Sequence, residues 1–165
     1  MIDVHLHKRL LPEFSTKKVK VYEVNPTAVT LGNIKFTNAG HHLVYPETIP
    51  QGEVWISRDM SYIEKLYYLY HELYEHRQML KGTTYEIAHN WANSVEGRQR
   101  HQLDEHELKK KIKAEMELNK DLMTEPSHFN GHLSLKQDNA RHHQHHFQRQ
   151  HTEGIKKTQK LVMSR

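Results

Sequence analysis

The string His71-Glu72-Leu73-Tyr74-Glu75 sets an imidazole and a carboxylate four residues apart. On a helix such residues are surface neighbours, so both side chains can converge on one cation. His89 and Glu96 repeat the pairing seven residues apart, two helical turns, with the small Ala92 between them on the same face. His71, Glu75 and His89 together make two imidazoles and one carboxylate, a zinc set that leaves a position for water. Carboxylate oxygen also admits manganese or iron. His76 stays outside the set, because five residues from His71 is about 140° round the helix. A His and a Glu at this spacing also form ordinary surface ion pairs, and the stripe Tyr67, Tyr68, Tyr70 and Tyr74 also reads as plain packing.

Glu72 follows His71 directly, as the glutamate does in the H-E-x-x-H helix of metalloproteases, where it takes a proton from water. The second ligand position of that signature is Glu75 here instead of His. Zinc accepts the exchange, at a loss of specificity in the match.

The elements that must hold these residues can be read from caps and periodicity. Ser61 with Glu64 is a capping box, and the helix it starts runs from about Tyr62 to Lys81, with Gly82 as its left-handed stop. Thr83 with Glu86 begins a second helix at once, so the two helices are antiparallel neighbours. Leu66, Tyr70, Leu73, Ile63 and Tyr74 share one arc of the first helix, the face expected to be buried, with His71 and Glu75 at its edge. Trp55 and Trp91 are assigned to the core. Upstream, residues 17–36 alternate β-branched or aromatic with polar residues, the pattern of short strands. Asn38-Ala39-Gly40 reads as a turn, and Gly52 to Ile56 as one more strand.

The chain has 165 residues, 36% of them apolar, which suits one core and an extension. The expected class is α+β: a small antiparallel sheet packed on a two-helix metal-binding hairpin, residues 1–96. Residues 97–165 are expected to form a basic, His-rich extension, helical or partly disordered, in which Leu103, Leu108, Ile112, Met116 and Met123 make a narrow apolar stripe. Residues 1–96 carry 10 Lys/Arg against 11 Asp/Glu, and the remainder 14 against 9, so the positive charge lies in the second part. Cysteine is absent, which excludes disulfides, thiolate zinc clusters and a cysteine nucleophile. No stretch nears the roughly 20 apolar residues of a membrane span and no secretory leader stands at the start, so the expected location is cytoplasmic, or the host cytoplasm for a phage-encoded chain.

The blocks Gly40-His-His-Leu-Val-Tyr-Pro46, Ile49 to Ile56, His71-Glu-Leu-Tyr-Glu75, Met79-Leu-Lys-Gly82 and Tyr85-Glu-Ile-Ala-His89, over roughly residues 35–96, resemble a set of small phage and bacterial proteins regarded as zincin-like metallopeptidases. The resemblance implies that His71, Glu75 and His89 bind the metal and that Glu72 is the general base. It also implies that Glu96 is a fourth ligand or a carboxylate that orients His89. His41 and His42 then cover the site or simply face solvent.

Zinc-dependent hydrolysis of a peptide or protein is the function expected from these residues. The alternative is a non-catalytic, metal-stabilised binding protein whose basic tail contacts nucleic acid or a protein partner. In that tail His142 and His146 stand four apart and can chelate a metal if helical. No membrane partner is expected, and nothing in the sequence defines an oligomeric state.

Overall fold

Val21 and Val54 are fully buried, and the strands that carry them, β2 (Lys20–Val24) and β6 (Glu53–Ser57), form the centre of the sheet. The computed structural model describes residues 8–31 and 34–123. β2 and β6 run parallel, with Val21 opposite Val54 and Tyr22 opposite Trp55. A parallel pair needs a crossover of a dozen residues or more. Residues 25–52 supply it, and they carry the two-stranded ladder β3 (Thr30–Leu31) and β4 (Ile34–Lys35).

Antiparallel edges flank the central pair: β1 (Lys8–Leu10) on β2 and β5 (Ala39–His41) on β6. The four-stranded sheet, in order β1-β2-β6-β5, is therefore mixed instead of wholly antiparallel. The expected turn at Asn38-Ala39-Gly40 is also replaced, because β5 occupies that segment and delivers His41 on a strand. Gly40 permits this: a Cβ there would stand 3.0 Å from the Tyr45 ring, so any larger residue would push that ring away.

α1 spans Tyr62–Leu80, with the Ser61 hydroxyl accepting from the Glu64 N–H at its start. Gly82, at φ +92°, takes the left-handed conformation that ends the helix. α2 spans Tyr85–Gln102; its cap is Thr84 and not Thr83, and the Thr84 side chain makes no capping hydrogen bond. α3 spans Glu105–Leu122 behind an Asp104 cap. This is an α+β fold in which the sheet packs against three helices.

The expected division at residue 96 falls inside α2. That helix passes through Gly97 unbroken, because a Cβ at Gly97 would face open space and nothing there forces a bend. α3 belongs to the core: Leu108, Ile112 and Met116 join Val21, Val54 and Ile56 from the sheet and Leu66, Leu69 and Leu73 from α1 in one buried cluster. Polar ties fix α3 against α1 as well. Arg77 forks onto Glu115 at 2.6 and 2.9 Å, and the Asn119 amide donates to the Leu73 carbonyl. Trp55 is buried as expected, edge-on to Phe36. Trp91 is 48% exposed and Ile63 37% exposed, so neither is a core residue. Among the described residues no helix is long and apolar enough to cross a membrane.

Candidate metal centre

On α1 the four-residue spacing sets His71 and Glu75 on one face, and the Gly82 turn folds α2 back so that His89 meets them. His71 Nε2 lies 3.3 Å from His89 Nδ1, and Glu75 Oε2 lies 2.6 Å from His89 Nδ1 and 3.5 Å from His71 Nε2. Tetrahedral zinc with bonds of 2.0–2.1 Å separates its ligand atoms by about 3.3 Å. Two of the three separations already fit, and the third is a hydrogen bond that would open by less than 1 Å on metallation. Buried His and Glu donors in this arrangement can hold a metal ion. With His71 and Glu75 only 4% and 2% exposed, this is not a surface ion pair.

Glu96 stands at His71 and not at His89. Its Oε2 accepts from His71 Nδ1 at 2.9 Å, while Oε1 accepts from Arg100 at 2.8 Å. Arg100 in turn forks onto Glu64 at 2.7 Å. A carboxylate holding Nδ1–H leaves Nε2 as the free ligand atom, the arrangement that fixes the tautomer of metal-bound histidines. Two turns separate Glu96 from His89, too far for the carboxylate to serve that imidazole while it lies against α1.

His41, expected either to cover the site or to face solvent, does not face solvent. It is fully buried, and its Nε2 lies 3.0 Å from Glu75 Oε1. His41, Glu72 and Glu75 form a second group of donors, all within 4.8 Å of one another. No local pattern announces it: all three residues of β5 are buried, and the segment around Gly40 reads as a turn until β5 pairs with β6. His42 points elsewhere and accepts the Gly52 N–H at 3.2 Å.

Electrostatics sharpen the picture. Burial would raise Glu75, but contacts with His41, His71 and His89 hold its carboxyl well below the usual range. Burial would lower His71, yet Glu75 and Glu96 bring it up to about 10. Glu72 has neither hydrogen bond nor ion pair among the described residues; burial first, and then the charge of Glu75, push it up to about 8. The phenols of Tyr45 and Tyr85 are raised by burial and by the same two glutamates, and Tyr85 stacks on His89 at 5.3 Å.

His76, excluded from the ligand set by its phase on α1, is nonetheless wholly buried. Its Nδ1 lies 2.6 Å from Asn119 Oδ1, its Nε2 has no partner, and its ring meets those of His41 and His42 at 5.0 and 4.8 Å. The tail pair His142 and His146 lies outside the described residues.

Burial and neighbouring His41 lower His42 to about 4. In the unfolded chain its pKa returns to about 6.5, so below that pH the unfolded state binds a proton that the fold refuses, and stability falls on acidification. Glu72, raised to about 8, already holds its proton in the fold across this window while the unfolded carboxyl does not, and works in the opposite sense. The informative quantity is therefore a difference: metal-free His42→Gln should lose roughly 1.5 kcal/mol less than wild type between pH 6.5 and 5. Urea midpoints across that range measure it, and parallel profiles would mean that the imidazole is protonated in the fold.

No protein-family model, no curated protein and no solved structure matches the chain, so the geometry of the site carries the functional reading by itself.

Proposed function

We propose that the chain is a metal-dependent hydrolase acting on peptide or amide bonds, with zinc as the ion and His71, Glu75 and His89 as its ligands. The observation that carries this reading is the pairing of a ready donor triangle with a buried carboxylate, Glu72, that makes no hydrogen bond or ion pair among the described residues. Structural carboxylates in protein interiors are hydrogen-bonded, and one left free beside a ligand set is suited to proton transfer. A bound divalent ion acidifies water and polarises a carbonyl. Glu72 takes the proton from water; a cation beside it favours the ionised form needed for that step. Glu96 holds His71 in the tautomer that leaves Nε2 free, and Glu75 supplies the negative charge. Tyr45 and Tyr85, raised above the ordinary phenol range, remain protonated donors at neutral pH.

One observation favours the rival reading of a binding protein with a structural metal: the donors are almost completely buried, as in closed sites. Hydrolysis of peptide and ester libraries by the metal-loaded full chain, beside chelator-treated protein, separates the two. Chelator-sensitive cleavage restored by zinc is the expected result, and its absence across both libraries leaves the binding protein, with its basic tail directed at nucleic acid or a protein.

A further inference from the structure

Glu75 uses its two carboxylate oxygens in different directions. Oε2 faces His71 and His89, at 3.5 and 2.6 Å, whereas Oε1 faces His41 at 3.0 Å. His41 thus meets one oxygen and His71 and His89 the other, and the donor atoms of two groups, His71–Glu75–His89 and His41–Glu72–Glu75, lie within 4.8 Å of one another in each group. His41 and Glu72 are both buried. Glu72 makes no hydrogen bond or ion pair among the described residues, and burying a carboxylate without a partner is costly enough that a cation is the natural counterpart. Carboxylates that span two ions do so at the separation of about 3.5–4 Å typical of two-metal sites.

We propose that the centre takes two divalent ions, the second held by His41, Glu72 and Glu75, with Glu75 bridging the pair. The inference rests on the proposed function for the first ion and adds a second loading state. The second ion binds more weakly, because the charge of Glu75 is already shared with the first and one further carboxylate remains to offset it. Once bound, it engages the lone pairs of Glu72, which is then no longer free to take a proton. Excess metal is therefore inhibitory, and the device is built into the ligand set itself.

The test is equilibrium titration of the metal-free full chain with Co(II), followed by visible absorption and by elemental analysis after gel filtration, for wild type, His41→Gln, Glu72→Gln and His89→Gln. Wild type should take up two ions in separate steps. His41→Gln and Glu72→Gln should retain the tight step and lose the weaker one, and His89→Gln should lose the tight step. Mn(II) at two equivalents should give an exchange-coupled resonance in wild type that His41→Gln abolishes. A single step in wild type, or two steps in His41→Gln, overturns the second site and leaves the first intact. Loss of the tight step by His41→Gln, with its retention by His89→Gln, overturns the ligand assignment of the proposed function as well. Circular dichroism of each variant confirms that the comparison is between folded proteins.

Discussion

Glu75→Gln is expected to lose both ions, the largest single effect on metal binding available in this chain. The amide keeps the shape of the side chain but removes the negative charge, and one of its two ends becomes an NH2 that cannot ligate. Each ligand set contains Glu75, so both fail together. The three imidazoles that now meet its oxygens, His41, His71 and His89, would face an uncharged group. Glu96→Gln provides the contrast. It acts on His71 through Nδ1 alone, and such outer carboxylates typically contribute 10–100-fold in affinity. Isothermal titration with zinc should therefore rank the variants as wild type, then Glu96→Gln weaker by about 10–100-fold, then Glu75→Gln weaker still. His76→Gln should bind like wild type, because its imidazole is turned to Asn119. If Glu75→Gln bound zinc as tightly as Glu96→Gln, the carboxylate would be serving only as a hydrogen-bond acceptor.

The parts of this site that lie within one helical hairpin were legible in the sequence, and the parts that depend on the sheet were not. Ser61 and Gly82 mark the ends of α1 with residue types chosen by backbone geometry, and the four-residue spacing of His71 and Glu75 follows from the helical repeat alone. His89 could be added because a short turn forces the next helix back on the first. His41 could not. Its place depends on β5 pairing with β6, a contact between segments separated by a loop, and the residues around it carry more turn character than strand character. The parallel alignment of β2 with β6 is hidden for the same reason.

α3 illustrates a different obstacle. Leu108, Ile112 and Met116 repeat every four residues, a stripe only one residue wide, while most of the rest of the helix is charged. Such a stripe cannot close a core alone, so in sequence it resembles a solvated helix. It is buried because α1 presents leucines to the sheet and to α3 at once, and because Asn119 and Glu115 satisfy polar groups of α1 that would otherwise be stranded. The neutral Gly97, facing open space, was equally misleading as a boundary.

Glu72→Gln separates chemistry from ligation. In the singly loaded protein Glu72 has no ligand role, so the variant should retain the tight ion at His71, Glu75 and His89 and keep its fold. What it loses is the group that takes a proton from water, and general-base assistance typically contributes about 10²–10⁴-fold. Its carboxyl, raised by burial to about 8, lies near the pH at which such a base works best, whereas Glu75, held well below the usual carboxylate range, is too weak a base for the task. The expected result is turnover reduced by about 10²–10⁴-fold at unchanged occupancy of the tight ion. Glu72→Asp discriminates further: it keeps the charge but withdraws it by one methylene, so part of the rate should return, with a pH profile that still shows a basic limb. Unchanged turnover in zinc-replete Glu72→Gln would remove Glu72 from the mechanism. Loss of the tight ion in that variant would instead make Glu72 a ligand from the start, and would require the two donor sets to be one.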